Sequence, residues 1–255
     1  MPVLGKDGQP RELSAAALAT LQQIEAASAN MVSRDELAAR AEAQKPIPPP
    51  NKEAKVIQDV YRPAAFIGNS ILDAIDVSDW LEAAQSGTAV ELPSRFVASR
   101  LNAVARGVDP SARLRLLRYL LYLVIFFAKS EMRGRGRRMA PPRRAFNEAA
   151  QAAELVVDQI RHKFTDGEGG MTNHHVSLLM THVLCLAAIV ENFEFDMQHL
   201  RMDLGQSQDA MTAYFQELGG KVRQSKAGGN TRYLAKLALP LVFPRVGGPK
   251  RRAKR

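Results

Sequence analysis

From Lys221 to Arg255 the chain carries 11 lysines and arginines and no aspartate or glutamate. Lys221, Arg223, Lys226, Arg232 and Lys236 are spaced through two short β-prone runs in this stretch. A second block, Arg113 to Arg144, holds 10 Lys/Arg against the single acid Glu131. Its densest part is an Arg/Gly/Pro-rich bridge with Arg133, Arg135, Arg137, Arg138, Arg143 and Arg144. The formal net charge is +9, so the rest of the chain is net acidic. Cations concentrated in this way neutralise phosphate and release its counterions, a chemistry in which no bond is made or broken. The bland alternative is a solvated, flexible charge run, and residues 131–144 equally fit an untethered connector. The terminal run from Pro249 to Arg255 fits a nuclear localisation signal, or a basic tail that touches nucleic acid.

Covalent chemistry finds no comparable support. The histidines at 162, 174, 175, 182 and 199 include a pair, His175 and His182, seven residues apart on one helical face. No carboxylate or cysteine completes the four-ligand set that zinc needs, so capping or core roles fit them better. Cys185 is the only cysteine. It excludes an intrachain disulfide, fits a reducing compartment, and sits in an apolar run as a small buried hydrophobe. Phosphate-binding glycine loops, nucleophile elbows and dinucleotide fingerprints are absent, and Asp166-Gly-Glu-Gly-Gly lacks calcium-loop spacing. These residues call for no cofactor, no metal and no small-molecule substrate. The apolar run Tyr119–Ala128 is about half of the ~20 residues a membrane span requires, which points to a core helix and no membrane.

The elements that must position the cations follow from pattern. Hydrophobic residues make up 46% and aromatics only 6%, which favours helix. Residues 1–58 read as a linker arm: a thin apolar stripe Leu13, Ala17, Leu21, Ile24, a capping-box step Ser33–Glu36, and a stiff Pro46-Ile47-Pro48-Pro49-Pro50 exit. Residues 59–130 read as three helices. One spans Ser70–Ala84 and closes at Gly87, one is capped by Ser94, and one opens at Asp109-Pro110 and runs to about Lys129. Glycine, proline and arginine across 131–144 predict no packed element. Ala145–Phe164 reads as one helix, and Thr172 or Asn173 caps another that runs to about Glu191.

The stretch Phe193 to Lys221 predicts a helix-turn-helix. Asp196 is placed to cap its first helix, Phe195 to staple onto Leu200, Gly205 to break the chain, and Ser207 to cap the second helix. Met211, Tyr214, Phe215 and Leu218 form that helix's inward stripe. Val222–Ala227 and Tyr233–Val242 then read as strands around Gly228-Gly229-Asn230. Three helices with a two-stranded wing make a winged helix over 145–244, followed by a basic tail over 245–255. Residues 59–130 show three helices and no evident wing, as a shortened or degenerate copy. The second helix of the helix-turn-helix would enter a major groove. Its outward positions are Gln208, Asp209, Thr212, Gln216 and Glu217, with no Arg or Lys, whereas base reading most often uses Arg or Lys on guanine. The basic hairpin behind it is the better phosphate contact, and phosphate contacts position without specifying a base. A free transcription regulator and a pure protein-docking module are the competing readings of the same motif.

The residues from His182 to Val222 resemble the C-terminal region of the forty-nine-kilodalton subunit family of RNA polymerase I. The carriers are Asn192-Phe193, Asp196, Leu200, Asp203-Leu204 and Glu217-Leu218-Gly219. The closing run Lys236–Pro244 resembles the family's last strand. Upstream, Asp59-Val60-Tyr61, Ile75 to Trp80, the helix containing Arg113 to Leu123, and the arm steps Ser33–Leu37 and Pro46-Ile47-Pro48 are similar as well. The resemblance covers about 11–244. It implies a mainly α fold with small β wings: tandem winged-helix domains, similar to a subunit of the initiation factor TFIIE, preceded by a partly helical linker arm. It further implies a non-catalytic subunit acting in initiation and elongation of ribosomal RNA gene transcription in the nucleus and nucleolus. The expected partners are DNA, other RNA polymerase I subunits and an initiation factor. In the family the module lies near the polymerase clamp and upstream DNA, and the linker crosses the cleft. The family's N-terminal dimerisation domain has no counterpart in these residues. The chain therefore reads as a C-terminal fragment or a split form, and the heterodimer contact is not carried over.

Overall fold

The computed structural model describes residues 44–134, 137–227 and 230–244, without the side chains of Arg137, Lys226, Ala227 and Asn230. The expected helices of the arm, its capping step, Arg135, Gly228-Gly229 and the tail lie outside the described residues. The chain divides into Met1–Lys45 and Pro46–Arg255. The second unit is mainly helical, with two small antiparallel three-stranded sheets.

Pro46–Arg62 lies against the helices as an irregular segment with one 3-10 turn, Ile57–Asp59. The Thr181 hydroxyl donates to the Pro46 carbonyl at 2.7 Å, and the buried Tyr61 hydroxyl donates to the Leu218 carbonyl at 3.0 Å. Three helices follow, α1 (Pro63–Phe66), α2 (Asn69–Asp73) and α3 (Ser78–Ser86). The expected single helix over 70–84 is thus two. The Asp76 carboxylate accepts from the Ser78 N–H at 3.0 Å and from its hydroxyl at 2.8 Å, which starts the chain afresh after the break. Gly87, at φ 71°, closes α3 in the left-handed conformation that glycine adopts without strain.

Helix α4 (Arg95–Ala105) is capped as expected: Ser94 Oγ accepts from the Val97 N–H at 3.2 Å. In α5 (Pro110–Ala128) every residue from Tyr119 to Phe127 is buried. The bridge then departs from expectation. Glu131–Arg133 (β1) and Arg137–Met139 (β2) form an antiparallel hairpin, and Gly170–Met171 (β3) adds to β2. So the first set of helices does carry a hairpin. Met171, 3% exposed, anchors its inner face. Arg143 and Arg144 begin α6 (Arg143–Ala150), and α7 (Glu154–Phe164) follows. The expected single helix over 145–164 breaks at Gln151, which takes φ 49°.

Helix α8 (Asn173–Val190) opens on Thr172, as expected. Thr172 Oγ1 accepts from the His175 N–H while His175 Nδ1 accepts from the Thr172 N–H, a reciprocal cap with histidine in the usual glutamate place. Among the described residues α8 is the one helix long and apolar enough to cross a membrane, but 61% of it is buried within the fold. It lies against α5, and Arg113 near the start of α5 donates to the carbonyl of Val190 at the end of α8, so the two run antiparallel. Strand β4 (Glu194–Asp196), α9 (Gln198–Asp203), α10 (Gln208–Glu217), β5 (Lys221–Ala227) and β6 (Asn230–Lys236) complete the order. Their sheet runs β4-β6-β5. Ser207 caps α10 by accepting from the Ala210 N–H at 3.2 Å. Strand β6 starts earlier and stops earlier than Tyr233–Val242, since Pro240 has no N–H for a ladder.

Gly219-Gly220 is fixed by space as well as by conformation. Gly219 sits at φ 80° with Leu241 2.9 Å from where a Cβ would stand, and a Cβ on Gly220 would collide with the Phe215 ring. That crowding seats the hairpin directly on α10.

Candidate nucleic-acid interface

Strand alternation sorts the cations of the second hairpin. The register pairs Lys221 with Lys236, Arg223 with Leu234 and Ser225 with Arg232. Side chains alternate along a strand, so Lys221, Arg223, Arg232 and Lys236 share one face. All four are exposed. The opposite face carries Val222, Tyr233 and the fully buried Ala235, and packs inward. The backbone of Lys226 pairs with Thr231, in the other parity from the basic row.

The charge on this face is not uniform. Strand β4 lies on the far side of β6, with Glu194 opposite Lys236 and Asp196 opposite Leu234. Lys236 Nζ lies 2.6 Å from Glu194 Oε2 with both side chains about half exposed, so its charge is compensated locally. Among the described residues, Lys221, Arg223 and Arg232 are left as the uncompensated row, toward β5. No sequence signal marks Glu194 as the partner, because the pairing needs the β4–β6 register.

Helix α10 stands as the sequence predicted. Met211, Phe215 and Leu218 are buried and Tyr214 is half-buried. Asp209 and Gln216 are exposed, Gln208, Thr212 and Glu217 half-buried, and no cation lies along it. A groove-reading helix with this surface would set acids against phosphates.

Of the bridge arginines, Arg133, Arg138, Arg143 and Arg144 have described side chains and are not brought together as a single patch. Arg133 is exposed on β1 beside Lys129, Glu131 and Glu168. Arg138 is drawn inward: its guanidinium donates to Ser130 Oγ at 2.7 Å and lies 4.3 Å from the centre of the Phe127 ring. Burial lowers its pKa. Arg143 binds Asp158 through two hydrogen bonds, at 2.7 and 3.0 Å, with Glu154 at 3.4 Å. The hydrogen bond to Asp158, then its charge, raises the Arg143 pKa, and the reciprocal bond lowers that of Asp158. Arg144 is wide open to solvent, 2.8 Å from Glu148 one turn along α6. Arg137 sits in β2.

Two groups matter here that sequence reasoning did not single out for their contacts. Asp203 on α9 reaches across to α4, where its carboxylate accepts from Ser94 Oγ at 2.6 Å and from the backbone N–H groups of Arg95 and Phe96 at 3.0 and 2.9 Å. The Asn192-Phe193 corner, at φ 52° and 70°, is held by Arg113 on the Asn192 side chain at 3.0 Å and by the Phe193 N–H on the Ala188 carbonyl at 2.6 Å. These are residues of the motif steps noted above, and the contacts give them a physical role in joining the helices to the sheet.

Elsewhere two of the histidines, His175 and His182, are structural. His175 caps α8 and His182 is 1% exposed. Among the described residues no cluster of His, Cys, Asp and Glu could hold a metal. Cys185 is fully buried, and burial pushes its thiol pKa up.

The sequence model of the A49-like RNA polymerase I associated factor family matches residues 6–244. The DNA-directed RNA polymerase I subunit rpa49 of Schizosaccharomyces pombe is 23% identical over 246 residues, covering 88% of this chain and 56% of that protein. The chain thus spans about half the length of the curated relative it matches. With the match running through the helices and both sheets, the chain belongs to the A49-like RNA polymerase I associated factor family.

Proposed function

We propose that the chain is a non-catalytic subunit of RNA polymerase I that folds as a tandem winged helix and holds DNA largely without reading its sequence. The observation that carries the reading is the hairpin register, which gathers Lys221, Arg223 and Arg232 on one exposed face while α10 offers acids. The order helix, strand, helix, helix, strand, strand from α8 to β6, with sheet order β4-β6-β5, supports a winged helix. Helices α4 and α5 followed by the β1–β2 hairpin support a second copy of the wing. Lys226 and the arginines of the first hairpin add to the phosphate contacts, whereas Lys236, Arg138 and Arg143 act mainly within the fold. The arm, residues 1–58, docks on other polymerase subunits and leaves the basic hairpins for DNA. The fission yeast relative is named as a subunit of that polymerase, which supports a place in ribosomal RNA gene transcription, in the nucleus and nucleolus.

Binding of the full chain to unrelated duplexes across a salt series tests this. Comparable affinity for all of them is expected, falling with a slope of about −3 to −4 in log K against log salt, for three or four neutralised phosphates. Replacing Lys221, Arg223, Lys226 and Arg232 by glutamine should weaken every duplex by a similar factor. Selective binding of one sequence would instead identify a regulator. Absence of binding at low salt would leave a protein-docking module.

A further inference from the structure

We propose that Ser225 is a phosphorylation site that switches the basic hairpin off. The switch rests on the DNA reading above; the site of modification does not. Ser225 lies in β5, two residues after Arg223, one before Lys226 and directly across from Arg232. By parity its hydroxyl shares the face of Lys221, Arg223 and Arg232. No hydrogen bond ties it to another described residue, and the residue is half-buried rather than enclosed.

The segment is in the form a protein kinase takes. Strand β5 is extended, and among the described residues the order β4-β6-β5 leaves its outer edge without a partner strand. A kinase that prefers basic substrates reads arginine shortly before the acceptor hydroxyl in an extended segment, and Arg223 stands there. The reaction is phosphoryl transfer. The Ser225 oxygen forms a bond to the γ-phosphorus of ATP, the bond from that phosphorus to the bridging oxygen breaks, ADP leaves, and the hydroxyl proton passes to the kinase's base.

The product places nearly two negative charges and three acceptor oxygens among the very cations that face DNA. Arg223 along the strand and Arg232 across it can turn to the new phosphate through charge-assisted hydrogen bonds. They are then spent on an internal anion, and the remaining field repels the duplex. Glu194 already does this to Lys236 on the same face, at 2.6 Å. Phosphorylation would extend that compensation from one end of the face to the other.

The test uses the full chain, a basophilic serine/threonine kinase with ATP and magnesium, intact mass with peptide mapping, and duplex binding before and after. One phosphate on Ser225 is expected, absent from Ser225→Ala, with duplex affinity at low salt falling about tenfold or more. The salt slope should shrink by about 2, since two phosphate contacts are lost. Ser225→Ala is expected to bind duplex like the unmodified chain. Phosphate that never reaches Ser225, or that leaves affinity unchanged in a chain that otherwise binds, overturns the proposal. If the unmodified chain binds no duplex, the DNA reading fails and the switch fails with it, while the mass data still decide the site.

Discussion

At the scale of single residues, the most consequential group outside the basic face is His182. It is 1% exposed, edge-on between the rings of Phe66 and Phe164 at 5.4 and 5.3 Å. Its Nδ1–H donates to the Leu178 carbonyl at 2.7 Å, and Nε2 has no partner among the described groups. Burial first, then the nearby Lys163 ammonium, lower its pKa to about 3. The folded state therefore holds the neutral ring, whereas the unfolded chain takes up the proton near the ordinary value of about 6.5. Between those two values the unfolded state binds more protons, so stability is full above about pH 6.5 and is lost toward pH 3, by about 1.4 kcal/mol per pH unit. Lys163, which donates to the Phe66 carbonyl and is lowered to about 8 by burial, has the same sign in an alkaline window between its two pKa values. Urea unfolding at a series of pH values should show the acid slope in the native chain and a shallower one in His182→Leu. Equal slopes in the two would assign the acid sensitivity to another group.

At the scale of elements, helix starts were legible because caps are local. Ser94, Asp109-Pro110, Thr172 and Ser207 all open helices as the sequence predicts, and each needs a partner only three residues away. The first hairpin was not legible. Its strands are three residues each, and what holds them, Met171 and the Phe127 ring under Arg138, comes from elsewhere in the chain. The breaks at residues 74–77 and at Gln151 are similar, since a periodic apolar pattern continues across both. In the candidate site the cations themselves were legible, but their compensation by Glu194, Asp158 and Ser130 depends on register and packing. The cap of α4 combines both cases. Ser94 was visible, whereas Asp203 arrives from α9 with an anion at the positive end of the helix. Asp203→Ala should destabilise the protein by about 2–3 kcal/mol, as loss of a charged cap with buried donors left unpaired, and Asp203→Asn should recover part of it. A loss below about 0.5 kcal/mol by chemical denaturation would show that Ser94 caps α4 unaided.

At the scale of the whole second unit, two three-stranded sheets with their helices do not amount to two independent folding units. Helices α5 and α8 lie antiparallel at the centre, and the apolar residues from Val60 to Leu237 join in one cluster around them. Contacts cross between the halves along its length: Tyr61 to the Leu218 carbonyl, Asp203 to α4, Phe96 against Phe195, and Phe126 against Phe146 at ring separations of 6.0 and 5.1 Å. The sheets flank α8, with β3 just before it and β4 just after, so about 27 Å of rigid helix separates the two basic hairpins. Residues 145–244 alone would strip α5 from α8, a helix whose residues from Leu179 to Ala188 are all buried in the chain. Burial of apolar surface is the main favourable term of a marginal balance, so residues 145–244 alone are expected not to fold. The full chain should then unfold this unit in one transition. Trp80 fluorescence, which reports the first half from a site 2% exposed, and hydrogen exchange of the α8 amides, which reports the second, should give the same unfolding free energy. If α8 keeps its protection after the Trp80 signal is lost, or if residues 145–244 fold by themselves, the halves are separable, and each hairpin would then have to be treated as a contact on its own mobile domain.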